Sequence, residues 1–188
     1  PLKVLELLSE FDSHQAISLE CIVTDNSLHK KLKNILNKEV LFISNDKRNE
    51  DQILKAINKK NIDMLLTIQH PWILSEKVIN SVEGYAFNNH MAKLPDYRGH
   101  HTSIHAILNG ENEFSTTLHK MTPVVDSGFK IFEEHFAIDS TDTSWSLQPK
   151  MTQSTYTNVL NLLKYIINNK QLPSTKIKSG GNFYAIDS

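Results

Sequence analysis

The sequence IDMLLTI, at residues 62–68, is a continuous apolar run of the length of a β-strand. Runs of this kind are typical of strands that are buried on both faces of a parallel sheet. On either side of the run, segments with a strand pattern are followed by segments with a helical pattern. The run therefore predicts a buried strand within an alternating chain.

Helix and strand patterns alternate along the first half of the sequence. Helical spacing marks residues 2–11, 27–37, 49–59 and 72–79, and strand patterns mark residues 17–25, 40–44 and 84–89. This alternation predicts the α/β class, with a mostly parallel, twisted, Rossmann-like sheet flanked by helices. Farther along, the patterns predict helices at residues 101–109 and 152–168, and strands at residues 114–119, 129–138 and 183–186.

Composition limits the classes of protein and partner. The 188 residues, 39% of them hydrophobic, are consistent with one domain that covers residues 1–188. A formal net charge of -1 does not favour a nucleic-acid partner. Cys21 is the single cysteine, so no disulfide can form within the chain and we expect a reducing, cytoplasmic location. Its apolar surroundings in the sequence fit a small buried hydrophobe. No apolar run approaches membrane-spanning length, and no membrane partner is expected.

Polar side chains collect after the strand predicted at residues 84–89. Asn88 and His90 come at its carboxyl end, where open α/β sheets bind their ligands. Arg98, His119 and Asp126 are further candidates. Each residue alone is a weak signal, because Asn and Asp-Ser-Gly also form turns and histidine often has a structural role.

Three neighbouring histidines, His100, His101 and His105, form a separate candidate. His101 and His105 are four residues apart, so they would share one face of a helix. The residues between them are Thr-Ser-Ile, without the glutamate of the HExxH zinc motif. No further carboxylate or thiolate ligand is evident, so we expect a polar helix face and no metal site.

Two motifs together resemble a known family. The segment NNHMAKLPDYRG, at residues 88–99, is similar to the N-x-H-x-S-x-L-P-x-x-[RK]-G signature of the formyltransferases that use 10-formyltetrahydrofolate. The segments TLHKM (117–121) and VDSG (125–128) look like the T-x-H and D-x-G block of the same family, in the same order. The resemblance covers roughly residues 1–140, and the paired motifs are more specific than either half.

The resemblance implies an enzyme, an N-formyltransferase. In this family an amine attacks the formyl carbon of 10-formyltetrahydrofolate directly, through a tetrahedral intermediate and without a metal. The implied catalytic residues are Asn88, His90 and Asp126. Asn88 or protonated His90 would donate to the developing oxyanion, and Asp126 would orient His90 or assist proton transfer.

The resemblance also implies which residues bind ligands. The segment after the apolar run resembles the one whose backbone holds the pterin, and its residues are Gln69, His70, Pro71, Trp72, Ile73 and Leu74. The residues implied for substrate binding are Lys93, Tyr97 and Arg98. Trp72 is expected to belong to the core rather than to stack on a ligand.

The sequence departs from the family pattern at three places. Ala92 stands where the family usually has Ser, and Ser115 where it often has Gly. The family begins with a strand, whereas a helical pattern follows Pro1 directly in this sequence. We therefore expect that the first strand is missing and that the domain is truncated at its amino end.

The residues between the two halves of the first motif bear on the identity of the amine. The sequence Met-Ala-Lys, at residues 91–93, resembles this part of the motif in the sugar-nucleotide N-formyltransferases more than in the glycinamide ribonucleotide enzymes. The expected partner is therefore a nucleotide-linked amino sugar, and a homodimer is left open. The alternatives are methionyl-tRNA or another small amine as substrate, or a catalytically degenerate module that binds folate or nucleotide.

Overall fold

The computed structural model describes residues 2–25, 28, 31–32, 36, 40–46 and 48–186. The chain divides into two compact units. The amino-terminal unit comprises residues 2–65 and 70–86, and the carboxyl-terminal unit comprises residues 66–69 and the described residues from 87 onward. Most of the helix predicted at residues 27–37 lies outside the described residues.

The amino-terminal unit contains helices and a small parallel sheet. Its elements are α1 (Leu2–Ser13), β1 (Cys21–Thr24), β2 (Leu41–Ser44), α2 (Glu50–Lys60) and α3 (Glu76–Ile79), followed by a 3-10 turn at Asn80–Val82. β1 and β2 are parallel, with Cys21 opposite Leu41. α1 forms because Val4, Leu7 and Leu8 recur at helical spacing and are all buried.

Helix α2 follows the rules for an amphipathic helix. Its buried side chains are Ile53, Ala56 and Ile57. Acidic residues occupy its first turn and two lysines its last, which complements the helix dipole. The helix ends at Asn61, whose left-handed backbone lets its N–H donate to the carbonyl of Ile57.

The carboxyl-terminal unit holds the larger sheet. Its elements are most of β3 (Leu65–Ile68), most of β4 (Ala86–His90), β5 (Tyr97–Gly99), α4 (Thr102–Leu108), β6 (Glu113–Lys120), β7 (Phe129–Ala137), α5 (Leu147–Ile167), β8 (Thr175–Lys176) and β9 (Asn182–Tyr184). The order of the five-stranded sheet is β3-β4-β6-β7-β8, and β5 pairs separately with β9. Within the described residues, no helix has the length and apolar character needed to cross a membrane.

The predicted α/β class is confirmed. β1–β2 and β5–β9 are parallel pairs, whereas β4–β6, β6–β7 and β7–β8 are antiparallel. Residues 121–128, which join β6 to β7, are too few for the crossover that parallel strands require, so this pair forms a hairpin. The strand predicted at residues 62–68 is shorter, and all four residues of β3 are partly exposed rather than buried on both faces.

Two predicted boundaries moved for local reasons. The helix predicted to begin at residue 152 begins at Leu147, because Pro149 lies in its first turn, where the missing N–H has no helical partner to lose. The helix predicted at residues 72–79 is reduced to α3, because Ser75 before it has an extended backbone. The strand predicted at residues 17–25 is limited to β1.

Helix α5 is joined to the sheet by a buried polar network. The network consists of Asn89, Thr116, Ser154, Thr155 and Asn158, none of which is more than 3% exposed. Asn158 donates to Asn89 Oδ1 at 3.1 Å and to the Thr116 carbonyl at 3.0 Å. Asn89 in turn donates to Thr155 Oγ1 at 3.0 Å. Asn158 Oδ1 is buried without a hydrogen-bond partner, and the other bonds of the network join β4 and β6 to the helix away from water.

A pair of glycines tests the contact between β5 and β9. Gly99 has φ +90°, and a Cβ there would stand 2.1 Å from the Tyr184 carbonyl oxygen; Gly110 has φ +67°, with no described atom within 4 Å of its Cβ position. We expect Gly110→Ala to lower the free energy of unfolding by about 1–2 kcal/mol, for the left-handed backbone alone. Gly99→Ala should lower it further, because β9 must also move. Urea unfolding of both variants measures the difference, and equal losses would contradict the described packing.

Candidate active site

Strand β4 carries two of the predicted catalytic side chains. In its antiparallel register with β6, Asn88 lies opposite His119 and His90 opposite Thr117. Asn89, between them, points to the other side of the sheet and joins the network of α5. Since side chains alternate along a strand, Asn88 and His90 share the opposite face.

His90 and Asp126 contact each other at the end of β4. His90 Nδ1 lies 3.4 Å from Asp126 Oδ1, and the side chains are 11% and 8% exposed. His90 Nε2 lies 2.6 Å from the Tyr97 carbonyl oxygen, an acceptor, so Nε2 carries a proton and donates. The contact therefore places the second ring nitrogen of His90 beside the carboxylate of Asp126.

The loop between β6 and β7 places Asp126 beside His90. Its Oδ2 accepts a hydrogen bond of 2.9 Å from the N–H of Gly99. Asp126 has a left-handed backbone, with φ 49°. Gly128 follows with φ +100°, and a Cβ there would stand 2.5 Å from the Lys120 carbonyl oxygen. The Asp-Ser-Gly sequence thus forms a tight turn as well as supplying the carboxylate.

The carboxamide of Asn88 is held from two sides. Thr67 Oγ1 donates to Asn88 Oδ1 at 2.9 Å, and Asn88 Nδ2 lies 3.1 Å from His119 Nε2. His119 Nδ1 faces two carbonyl oxygens, that of Ser127 at 3.0 Å and that of Lys120 at 3.3 Å. Nδ1 must therefore carry the proton of the neutral ring, which leaves Nε2 as the acceptor for Asn88.

His119 is the most buried titratable group of this cluster, with 2% of its surface exposed. Burial lowers the pKa of His119 to about 4; Asp126 opposes this shift and His90 adds to it. The ring is therefore neutral at pH 7. A neutral His119 can keep accepting the hydrogen bond from Asn88, whereas a protonated ring could not.

The residues predicted to bind the cofactor are divided between the two units, so their role stays a prediction. Gln69, with φ 52°, belongs to the carboxyl-terminal unit, and His70, Pro71, Trp72, Ile73 and Leu74 belong to the amino-terminal unit. Trp72 is 40% exposed rather than part of the core, and its Nε1 donates to the Asn45 carbonyl at 3.0 Å. Burial lowers the pKa of His70, and nearby Glu50 opposes this shift.

The residues predicted to bind substrate have different environments. Lys93 Nζ lies 3.6 Å from Asp96 Oδ2 on the surface. Tyr97 is buried, its hydroxyl donates to Glu111 at 2.7 Å, and burial raises its pKa to about 12. Arg98 donates to the Gly181 carbonyl at 3.4 Å, and its Nε is buried without a hydrogen-bond partner. A role in binding substrate stays a prediction for all three.

His101 and His105 do not share a helix face, contrary to the prediction. His101 precedes α4 with a left-handed backbone, and its Nε2 lies 3.0 Å from the Ile186 carbonyl oxygen. His105 stacks on Tyr184, with 3.8 Å between ring centroids. Among the described residues, no group of three or more His, Cys, Asp or Glu side chains is arranged to hold a metal ion.

The structure adds two side chains to the predicted set. His119 belongs to the second motif and was a candidate, but its hydrogen bond to Asn88 was not foreseen. Thr67 was missed altogether. The signal for it is a single hydroxyl residue near the end of an otherwise apolar strand sequence, LLTI, directly before the predicted ligand-binding segment.

The depressed pKa of His119 predicts a pH dependence of stability. In the unfolded chain this histidine titrates near 6.5, and in the folded chain near 4. Between these values the unfolded state binds more protons. We therefore expect the free energy of unfolding to fall as the pH drops from about 6.5 towards 4, by at most about 1.4 kcal/mol per pH unit from this group. Urea unfolding at several pH values measures this slope.

Two variants identify the group responsible. His119→Gln should reduce the slope, because it removes the buried titrating ring. His14→Gln should leave the slope unchanged, because His14 is exposed. A nuclear magnetic resonance titration of the wild-type His119 ring gives its pKa even if the variant does not fold. A ring that titrates at its ordinary value, or an unchanged slope in folded His119→Gln, would contradict the prediction.

Comparison with known proteins places the chain among relatives. The Formyl transferase family model matches residues 14–162. The bifunctional polymyxin resistance protein ArnA of Wigglesworthia glossinidia brevipalpis is 29% identical over 168 residues, which are 89% of this chain and 25% of that protein. The chain thus spans about a quarter of the length of this curated relative.

Two solved structures share the fold. The phosphoribosylglycinamide formyltransferase of Anaplasma phagocytophilum is 19% identical, with a TM-score of 0.79 over 97% of this chain and 93% of that one. The N-formyltransferase of Helicobacter canadensis, solved with folinic acid and dTDP-3-aminofucose, is 23% identical, with a TM-score of 0.65 over 91% and 72%. The resemblance inferred from the two motifs is confirmed. Since the family model spans most of the sequence, the protein belongs to the formyl transferase family.

Proposed function

We propose that the protein transfers a formyl group from 10-formyltetrahydrofolate to the primary amine of a nucleotide-linked amino sugar. Membership of the formyl transferase family supports the reaction class. The observation that carries the proposal is the cluster at the end of β4. There Asn88 and His90 share a face of the sheet, and His90 Nδ1 lies 3.4 Å from Asp126 Oδ1.

The donors and acceptors of this cluster fit acyl transfer to an amine. Bound 10-formyltetrahydrofolate supplies an electrophilic formyl carbon. Asn88 Nδ2 has a second N–H beside the one that it gives to His119, and this group donates to the formyl oxygen as negative charge develops. The pair His90 and Asp126 moves the proton that the attacking amine loses to N10 of the cofactor, so that the bond between the formyl carbon and N10 breaks and tetrahydrofolate leaves. Asp126 also fixes the orientation of the His90 ring.

The choice of amine rests on two supports. The sequence between His90 and Leu94 is similar to the sugar-nucleotide branch of the family. The N-formyltransferase of Helicobacter canadensis, which has the same fold, was solved with an amino sugar nucleotide and folinic acid. The formal net charge of -1 does not favour a tRNA substrate.

A screen of amines tests the proposal. The purified protein and 10-formyltetrahydrofolate are incubated separately with dTDP-3-aminofucose, a UDP-linked 4-amino sugar, glycinamide ribonucleotide and methionyl-tRNA, and formylated product is identified by mass spectrometry. We expect product with an amino sugar nucleotide. Product with glycinamide ribonucleotide or methionyl-tRNA alone would overturn the substrate class and keep the reaction. Folate binding without any product would favour the degenerate module.

Substitutions of the cluster test the roles of its residues. In single-turnover formyl transfer with saturating cofactor, we expect Asn88→Ala to slow the reaction by about 10²–10³-fold, as for loss of one oxyanion donor. Asp126→Ala should slow it by about 10²–10⁴-fold, since His90 loses the group that sets its orientation and protonation. Folate affinity, measured by fluorescence quenching, should survive both changes.

Matched variants separate charge from structure. Asp126→Asn keeps an oxygen that can accept from the Gly99 N–H, so a slow Asp126→Asn variant would assign the loss to the carboxylate charge. Asp139→Asn changes an exposed carboxylate, 71% accessible, and should react at the wild-type rate. A wild-type rate in Asn88→Ala or Asp126→Asn would remove that residue from the mechanism.

A further inference from the structure

The orientation of the Asn88 carboxamide is decided by a short chain of hydrogen bonds. The two ends of a carboxamide have nearly the same shape, so only their neighbours distinguish oxygen from nitrogen. The Ser127 and Lys120 carbonyls require a proton on His119 Nδ1, so Nε2 presents a lone pair to Asn88. The end of the carboxamide that faces His119 is therefore the nitrogen.

The oxygen end of the carboxamide depends on Thr67. The Thr67 hydroxyl has one hydrogen and three acceptors in reach: Asn88 Oδ1 at 2.9 Å, the Phe87 carbonyl at 3.4 Å and Met121 Sδ at 3.8 Å. Asn88 Oδ1 is the nearest and the most favourable by distance. Thr67 and Asn88 lie on the adjacent strands β3 and β4, so this bond crosses between neighbours in the sheet.

We propose that Thr67 is a positioning residue for formyl transfer, whose hydroxyl holds the Asn88 carboxamide so that the second N–H of Nδ2 points at the reacting group. The proposal rests on the proposed role of Asn88. Without the hydroxyl, the part-buried Asn88 Oδ1 loses its hydrogen-bond donor. The carboxamide then rotates towards an orientation in which Oδ1 accepts from another donor. The turn removes Nδ2 from the geometry that an oxyanion donor requires, although Asn88 itself is retained.

Two substitutions at one position isolate the hydroxyl. Thr67→Val keeps the branched shape and removes the donor, whereas Thr67→Ser keeps the donor and removes a methyl group. We expect Thr67→Val to slow single-turnover formyl transfer by roughly tenfold, the effect of losing one neutral hydrogen bond. Thr67→Ser should react within about threefold of wild type. The affinity for folate should change little in either variant, and the melting temperature should fall by no more than a few degrees in Thr67→Val, as for the loss of one hydrogen bond.

A double-mutant comparison distinguishes positioning from a general structural effect. If Thr67 acts through Asn88, Thr67→Val should have no further effect on the rate when Asn88 is already Ala. An equal tenfold loss in both backgrounds would overturn the proposal. A wild-type rate in Thr67→Val, together with a slow Asn88→Ala variant, would also overturn it while leaving the proposed function intact.

A spectroscopic measurement does not depend on turnover. The side-chain NH₂ resonances of Asn88, assigned by their loss in Asn88→Ala, report the environment of Nδ2 in ¹⁵N–¹H spectra of the folded protein. We expect Thr67→Val to shift them and Thr67→Ser to leave them near their wild-type positions. Unchanged resonances in Thr67→Val would overturn the proposal even if the rate fell. A wild-type rate in Asn88→Ala would instead remove the proposed role of Asn88, and the positioning role with it.

Discussion

The antiparallel register of β4 with β6 is the constraint on which the site depends. It places Asn88 opposite His119. The side chain of Asn89 therefore lies on the other face, where it forms hydrogen bonds with Thr155 and Asn158. A slip of one residue would exchange the faces, so that Asn88 would meet α5 and Asn89 the site. The buried network behind the sheet resists such a slip, because Asn89 would leave its partners unsatisfied. The polar core is therefore part of what holds the side chains at the end of β4 in place.

Burial and charge act together on the face that carries Asn88. His119 stays neutral because it is buried, and it thereby remains an acceptor. His90 lies between a carboxylate oxygen of Asp126 and the carbonyl oxygen of Tyr97. Two histidines in one cluster thus have different neighbours: His119 accepts from the amide of Asn88, and His90 contacts the carboxylate of Asp126.

Sequence reasoning predicted the carboxyl half of the sheet well, because β6 and β7 have strand patterns bounded by clear turns. It also identified Asn88, His90 and Asp126, which the structure brings together, because two motifs joined residues that are distant in sequence. Thr67 was missed because a single hydroxyl in an apolar strand fits a simple core position equally well. The prediction that His101 and His105 share a helix face was wrong, because their spacing in the sequence does not show that the backbone of His101 is left-handed. The buried hydroxyl of Tyr97 bonds Glu111, a contact that the motif does not reveal, and its role in binding substrate stays a prediction.

Strand β5 connects the site to a distant part of the chain through one peptide unit. The N–H of Gly99 donates to Asp126, and the same residue pairs with Tyr184 on β9. Tyr184 is itself stacked between Tyr97 and His105, with centroid separations of 5.6 Å and 3.8 Å. Residues 182–184 therefore act as a brace for the carboxylate. The carboxylate of Asp126 is thus held by a backbone group whose own position depends on a strand more than eighty residues farther along the chain.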